Sequence, residues 1–384
     1  MIRISERSAC CGCSACKSIC PYHAISMIPD EMGFLYPIVD NSKCVDCGLC
    51  EKVCAFNANY DKSINVLSPT FYAVRHKDMN EVSTSRSGAA FIALSDAILD
   101  MGGVVYGAGY TDHFRVIHKR AETKKQRNEF KGSKYVQSDL NDTFLQIKKD
   151  LLNDRKVLFS GTPCQTSGLS SFIGPKLRSN LFLVDIVCHG VPSPYVWRDY
   201  LKYVENKRGE NAIAVDFRDK TELGWAAHKE SFTFPSGKEY GKTYTYLFYE
   251  HIMFRPSCEV CHFANLRRPS DLTLADFWGW QNTDKMLNID DKGISLLICN
   301  TEKGKQLLND IIDSINIIGV EQTKCLQPNL QHPSVFNSNY LNFEKDYIEK
   351  GFKYVARKYG DLGINYLFKR LIQKTRTAIR LLVK

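Results

Sequence analysis

The sequence predicts three parts: a small α+β module at residues 1–60, an α/β domain with a mixed sheet at residues 66–335, and a helical tail at residues 336–384. Two four-cysteine runs predict the first part. Alternating strand-like and helix-like stretches predict the second, which we divide into residues 66–153 and 154–335. Apolar residues at helical spacing among basic residues predict the third.

Composition places the chain among ordinary globular proteins, with one departure. It has 384 residues and a modest formal charge of +9, which without a basic patch predicts no nucleic-acid partner. The departure is its 15 cysteines, which are either a disulfide scaffold or metal ligands. The N-terminus, MIRISERSACCGC, has no apolar signal segment, and no later stretch gives the roughly 20 apolar residues that a membrane span needs. We therefore expect a cytoplasmic chain with reduced, metal-binding thiols.

The N-terminal module contains two cysteine runs of the same C-x2-C-x2-C-x3-C spacing. The runs are Cys10, Cys13, Cys16 and Cys20, then Cys44, Cys47, Cys50 and Cys54. This is the spacing of bacterial two-cluster ferredoxins, in which the fourth cysteine of each run ligates the other cluster. The predicted [4Fe-4S] ligand sets are therefore Cys10, Cys13, Cys16 and Cys54, and Cys44, Cys47, Cys50 and Cys20. The alternative is zinc, which more often takes two paired C-x2-C knuckles, and we interpret Cys11 as a bystander.

Local patterns predict the elements in chain order. AISMIPDEMGFLYPIVD reads as two short strands around a turn, with a short helix beside each cysteine loop, and a polar connector, NANYDKSINVLSPT, follows. The predicted strands of the body are FYAVRH, VVYGAGY paired with FRVIHKR, KVLFS, LFLVDIVC, AIAVDFRD, LTLADFW and ISLLIC. The predicted helices are GAAFIALSDAILDMG and residues 124–130, 139–152 and 195–207.

Four more cysteines lie near the ends of body elements. They are Cys164, Cys188, Cys258 and Cys261. Because ligands gather beyond the carboxyl ends of strands in α/β sheets, we expect these thiols to hold a third [4Fe-4S] cluster, with a structural zinc as the alternative. C-x-x-C-H at His262 also matches a c-type haem attachment motif, which we disfavour without an export signal. Cys299 and Cys325 have no partner at ligand spacing and are interpreted as structural.

Two polar segments have the composition of phosphate-binding turns. Their residues are Ser85, Arg86, Ser87 and Gly88, and Gly132, Ser133, Lys134 and Tyr135. The first precedes a predicted helix, whose free N–H groups and dipole attract an anion. Both segments could equally be ordinary caps and turns. No G-x-G-x-x-G follows a strand, so a standard dinucleotide fold is not supported.

Taken together, the motifs resemble the beta-subunit family of coenzyme F420 hydrogenases and dehydrogenases. The resemblance rests on the cysteine runs, STSRSGAA, GSKY, SGTPCQ, CHGVPSP and CEVCHFANLRRPSDLTLADFWG, and covers residues 1 to about 320. It implies a flavin, usually FAD, beside a [4Fe-4S] cluster. It also implies that the four strand-end cysteines match the cluster cysteines of the family domain and that the two polar segments contact the flavin. Members use different acceptors, and similar proteins occur among bacterial polysaccharide-synthesis genes.

The tail, DLGINYLFKRLIQKTRTAIRLLVK, combines an apolar stripe with six basic residues. Such a helix either lies on an anionic membrane surface, docks a partner, or packs on its own domain with a solvated basic face.

The sequence thus predicts an oxidoreductase: an iron–sulfur flavoprotein that relays electrons between ferredoxin-type clusters and a flavin serving a two-electron acceptor, of F420 type or another. The alternatives are a non-catalytic electron-transfer subunit for a partner enzyme, in polysaccharide synthesis among other settings, or a zinc-bearing scaffold. The partner is a redox protein or a small acceptor. No catalytic residue follows from the sequence, although His189 is a proton donor by residue type.

Overall fold

The N-terminal module is one antiparallel hairpin with two short helices. A computed structural model describes residues 1–57, 65–363 and 366. The module's elements are α1 (Ala15–Ile19), β1 (Ile25–Pro29), β2 (Leu35–Val39) and α2 (Leu49–Lys52). The hairpin turn is closed by Asp30, whose carboxylate accepts hydrogen bonds from the N–H groups of Met32 and Phe34. The predicted α+β ferredoxin-like module, with a helix beside each cysteine loop, is confirmed.

The α/β body that follows contains a large mixed sheet and a smaller one. Its elements up to residue 208 are β3 (Asn65–His76), α3 (Met79–Thr84), α4 (Ala90–Asp100), β4 (Val104–Tyr110), β5 (Val116–Ala121), α5 (Lys124–Arg127), α6 (Thr143–Leu152), β6 (Val157–Gly161), α7 (Pro163–Ile173), β7 (Leu181–Ile186) and α8 (Pro194–Arg208). The later elements are β8 (Ala214–Asp216), α9 (Lys220–Leu223), β9 (Glu230–Phe234), β10 (Gly237–Gly241), α10 (Thr243–Tyr249), β11 (Leu272–Asp276), β12 (Ser295–Thr301), α11 (Glu302–Asp310), β13 (Ile315–Val320), α12 (Tyr340–Lys350) and α13 (Phe352–Lys358).

The large sheet has a parallel centre and antiparallel flanks. Its strand order in the described part of the chain is β13-β3-β12-β11-β7-β6-β4-β5. Strands β4, β6, β7 and β11 are parallel neighbours, whereas β5, β12, β3 and β13 join antiparallel. Helices α6 and α7 cover one face and α4 and α11 the other, so Val157 and Phe159 enter one core cluster and Leu158 the opposite one. Burial on both faces explains why the central strands read as continuous apolar runs.

A second aromatic core lies under the small sheet, whose order is β10-β9-β8. Trp197 of α8 packs against Phe217 and Phe232, and helices α12 and α13 add Phe343 and Val355 to the same buried cluster. Residues 340–358 therefore pack on the body. The amphipathic helix was predicted over residues 361–384, of which 364, 365 and 367–384 lie outside the described residues.

The sequence prediction misplaced several boundaries and missed several elements. The connector was predicted to run to Thr70, but β3 begins at Asn65, because Asn65 and Thr70 already pair with Thr301 and Cys299 of β12. Helix α7, the β9–β10 hairpin and strand β13 were not predicted. Within residues 1–57 and 65–363, no helix is long and apolar enough to cross a membrane.

Candidate metal centres and cofactor site

Two of the predicted ligand cysteines sit just beyond parallel strands. Cys164 lies in the first turn of α7, directly after β6, and Cys188 follows the end of β7. Thr162 and Gln165 form a capping box at the start of α7, with Pro163 in the first turn. This cap places Cys164 in the first turn of the helix, where the helix dipole stabilises a thiolate.

The four thiols predicted to hold a third cluster meet in one cavity. We call Cys164, Cys188, Cys258 and Cys261 the strand-end set; all four line the same cavity. Each is close enough to the other three to interact electrostatically. Burial raises the pKa of Cys188 to about 12 and that of Cys261 to about 11. A metal must therefore displace protons when it binds this set.

Backbone N–H groups point at the sulfurs of the strand-end set. The N–H of Val191 donates to Sγ of Cys258 at 3.4 Å, and the thiol of Cys188 accepts from the N–H of Gly190. The thiol of Cys261 accepts hydrogen bonds from the backbone N–H groups of Phe263 and Ala264. Such donors stabilise thiolate charge and tune the potential of a bound cluster.

A first set of thiols forms across the two ferredoxin-like runs. It consists of Cys10, Cys13, Cys16 and Cys54. All four interact with one another, and burial raises the pKa of Cys16, Cys10 and Cys54. The fourth cysteine of the second run thus lies with the first three of the first run, which is the arrangement that the spacing predicts.

The remaining four thiols form an outer set at the far end of the module. Cys20, Cys44, Cys47 and Cys50 line one cavity together with Ile25 and Val39. Cys47 is exposed, and N–H groups of Ile2 and Ala24 donate to Cys50 and Cys20 at 3.2 and 3.4 Å. The structure therefore brings the two predicted ligand sets together in crossed fashion.

The spacing of the thiols favours polynuclear clusters over single ions. Within the residues that the structure describes, no group of three or more His, Cys, Asp or Glu side chains could hold a single metal ion. Two C-x2-C-x2-C-x3-C runs are typical of [4Fe-4S] clusters, whereas a structural zinc more often takes two paired C-x2-C knuckles.

Cys11 lies between the first set and the strand-end set. It is buried, and its thiol hydrogen-bonds Cys13 of one set and Cys164 of the other. These contacts raise the pKa of Cys11 far above its usual range, while the hydrogen bond from Cys11 lowers the pKa of Cys164 to about 7. The two sets are therefore neighbours, separated by a single side chain.

The two segments predicted to contact a flavin approach a shared charged group. Arg86 donates to the carbonyl of Trp225 at 2.9 Å and lies 3.5 Å from the carboxylate of Asp276. The same carboxylate accepts from Arg218 at 3.0 Å, and Arg218 reaches the hydroxyl of Tyr135 at 3.4 Å. Two buried guanidinium groups therefore share one carboxylate.

Several polar atoms at this group are free to bind a ligand. Among the described residues, Oγ of Ser85, Nη1 of Arg86 and Nε of Arg218 have no hydrogen-bond partner. Gly88 lets the loop pack closely, because a Cβ there would lie 2.3 Å from the carbonyl oxygen of Val74. Lys220, which the sequence analysis missed, holds the loop by donating to the carbonyl of Ser87 at 3.0 Å.

The other residues predicted for this site have different surroundings. Ser87 donates to the carbonyl of Ile294 at 2.6 Å, and Ser133 is exposed. Lys134 folds back on its own loop, donating to carbonyls of Glu129 and residues 131–132. Tyr135 alone of its segment therefore reaches the guanidinium group.

Two histidines and two tryptophans lie beside the Arg86–Arg218 pair. Trp225 and Trp278 stack with ring centroids 4.4 Å apart, and Arg218 lies 5.3 Å over Trp278. Burial lowers the pKa of His228 and of His189 to about 4, with Arg218 adding to both shifts. Both histidines are therefore neutral at pH 7, so His189 holds no extra proton to give.

Comparison with known proteins agrees with this arrangement. Residues 154–323 match the family model for the C terminus of the coenzyme F420 hydrogenase/dehydrogenase beta subunit, and residues 9–58 match a 4Fe-4S dicluster domain. The chain is an iron–sulfur protein related to this beta subunit. The predicted resemblance is thus confirmed, and it makes the chain an electron-transfer protein of oxidoreductase type.

No curated protein matches the chain. One similar solved structure is a chain of the F420-reducing [NiFe] hydrogenase complex from Methanosarcina barkeri. It is 18% identical, with a TM-score of 0.48, and the match covers 77% of this chain and 94% of that chain.

Sequence reasoning missed three charged residues beside the candidate sites, Asp276, Arg218 and Arg255. Asp276 stands in the LADFW strand and was quoted only as part of a motif. Arg218 follows β8 and Arg255 precedes Cys258, and neither belongs to a repeated spacing. Their contacts join segments far apart in the chain, so no local signal marks them.

Proposed function

We propose that the chain is an iron–sulfur flavoprotein oxidoreductase with three [4Fe-4S] clusters and FAD. The observation that carries the proposal is the grouping of the predicted ligand cysteines into three sets of four, each set gathered in one place. When bound, clusters carry single electrons and a flavin couples them to a two-electron acceptor. The chain's residues hold these groups in order and exclude water between them.

The proposed order of electron passage is outer set, first set, strand-end set. The outer set is the one with an exposed thiol, at Cys47, so we propose that a redox partner docks there. Cys16 and Cys50 share one small buried cluster of side chains, which places the outer and first sets side by side. Cys11 and Cys13 then connect the first set to Cys164.

The residues present fit a flavin at the arginine pair. Arg86 and Arg218 carry one more positive charge than Asp276 balances, and their unpaired N–H groups can bind a phosphate or another anionic part of the cofactor. The site lies close to the strand-end set. His189 directly follows Cys188, and the charge of Arg218 contributes to the lowered pKa of His189. The ring of His189 is also 6.5 Å from that of Tyr249.

The test is anaerobic purification of wild-type chain and an Arg86→Met variant, with iron, acid-labile sulfide and flavin quantified per chain. We expect about tenfold less flavin in the variant, with iron and sulfide unchanged, since one charge-assisted contact is worth roughly 1.5–3 kcal/mol. The control is Arg198→Met, because Arg198 is exposed and pairs with its neighbour Asp199.

Each contrary outcome has a definite meaning. Clusters without flavin in the wild-type chain would favour a non-catalytic electron-transfer subunit that serves a partner enzyme. A colourless protein that holds zinc and no sulfide would remove the redox function altogether.

A further inference from the structure

A buried arginine lies between the first set and the strand-end set. Arg255 has no exposed surface. Its Nε donates to the carbonyl of Cys10 at 2.7 Å, and Nη2 donates to the carbonyl of Leu35 at 2.9 Å. Nη2 also lies 3.5 Å from Sγ of Cys10, and Nη1 donates to Gln137 at 2.9 Å. The guanidinium group stacks over the ring of Tyr36 at 4.2 Å.

Among the residues that the structure describes, no carboxylate pairs with the charge of Arg255. All its hydrogen bonds to residues of the described ranges go to carbonyl, amide and sulfur atoms. The charge of Arg255 contributes only weakly to the pKa of Asp30, whose carboxylate lies 3.5 Å from Arg7 instead. A buried cation without a counter-ion costs several kcal/mol. The thiols that act on this charge are those of Cys10, Cys11 and Cys258, with Cys10 the strongest of the three and its Sγ 3.5 Å from Nη2.

We infer that Arg255 is the fixed counter-charge of the first cluster and raises its reduction potential, so that electrons pass inward. The inference rests on the proposed clusters. Four thiolates give a [4Fe-4S] cluster a net negative charge, and reduction adds one electron and no atom. A positive charge in a water-poor site therefore stabilises the reduced form more than the oxidised form. Arg255 lies 3.5 Å from Sγ of Cys10 without a carboxylate beside it, whereas a cation that acts on the outer set, the Met1 ammonium near Cys50, is paired with Asp46.

The test is a redox titration of Arg255→Met, followed by paramagnetic resonance of the reduced clusters under anaerobic conditions. The outer cluster's signal is assigned by its loss in Cys47→Ser. We expect the first cluster's reduced-to-oxidised ratio at a fixed potential to fall about tenfold, which is 59 mV for a one-electron couple. The outer cluster's ratio should change by less than about twofold.

A second pair of variants keeps Arg255 in place, in case its removal prevents folding. Gln137→Glu puts a carboxylate on the atom that Nη1 already contacts and should lower the first cluster's potential. Both variants lose the hydrogen bond that Gln137 Nε2 donates to the carbonyl of Cys11. Gln137→Met adds no charge and should leave the potential near that of the wild type.

Equal potentials in Gln137→Glu and Gln137→Met, or an unchanged midpoint in Arg255→Met, would overturn the inference while the clusters stand. Absence of clusters from the wild-type chain would instead remove the proposed function on which it rests.

Discussion

The outer set and the strand-end set use the same four-cysteine chemistry in opposite settings. The outer thiols come from residues 20–50 of a small module, and Cys47 is exposed. The strand-end thiols come from three separate segments of the body, and an α/β core surrounds them. The first arrangement suits exchange with a partner, whereas the second suits exchange inside the protein.

The same difference decides what holds each set in place. The module has too small a core to be stable alone, so its clusters must supply part of its folding free energy. Cys164 and Cys188 are instead positioned by β6, β7 and the cap of α7, whose apolar residues pack in the cores of the body. We therefore expect substitutions in the N-terminal module and in the α/β body to affect cluster content and stability differently.

The largest expected effect is on the boundary between module and body. Gly168 of α7 packs on Cys13, and a Cβ at this position would lie 2.7 Å from the Cys13 sulfur. Gly168→Ala should therefore cost the first cluster, about four irons per chain, while the outer cluster remains. Iron and sulfide analysis with paramagnetic resonance measures both.

Gly319→Ala is the matched control, because nothing lies within 4 Å of a Cβ there. The packing argument fails if Gly168→Ala keeps full iron content, or if it loses the outer cluster first.

A second effect concerns acid sensitivity of the inner region. His118 is buried against Phe159, and Ser160 and Ser138 hydrogen-bond its two ring nitrogens. Burial lowers its pKa to about 4, against about 6.5 in the unfolded chain. Between these values the unfolded state binds more protons, so stability falls as pH drops from about 6.5 to 4, by about 3 kcal/mol in all.

His118→Gln should remove that part of the acid loss. Denaturant midpoints of variant and wild type at pH 7 and pH 4.5 measure it. The exposed His113, changed to Gln, serves as the control and should leave the acid loss intact. A His118→Gln curve parallel to the wild-type curve would contradict the assignment.

The sequence was sufficient for whatever depends on local spacing. The crossed cysteine sets, the strand–turn–strand between them and the cysteines beyond β6 and β7 could all be predicted, because each follows from spacing or strand ends. The charges that serve these sites could not. Arg255 and Cys10 are 245 residues apart in the chain, and only the tertiary fold brings them together.

A third effect compares the rates at which the sets lose iron. Since Cys47 is exposed while Cys188, Cys258 and Cys164 are only partly exposed, a chelator should remove the outer cluster about tenfold faster than the strand-end cluster. Stopped samples examined by paramagnetic resonance follow each signal. Equal rates, or earlier loss of the strand-end cluster, would contradict the contrast between the two sets.

The smallest expected effect is at the surface of the same boundary. Lys17 of α1 pairs with Asp142 at 2.9 Å, and both side chains are well solvated. Lys17→Met should change the free energy of unfolding by about 0.5 kcal/mol or less, because exposed ion pairs gain little over their hydration. Denaturant unfolding measures the change.

Arg7→Met is the comparison variant, because Arg7 contacts the largely buried Glu344 through Nη1 and Nη2 of its guanidinium group. It should destabilise the chain more than Lys17→Met does. A larger effect at Lys17 would mean that exposed charge holds the module to the body. The buried contacts of Cys13 and Arg255 would then not explain why the first and strand-end sets are neighbours.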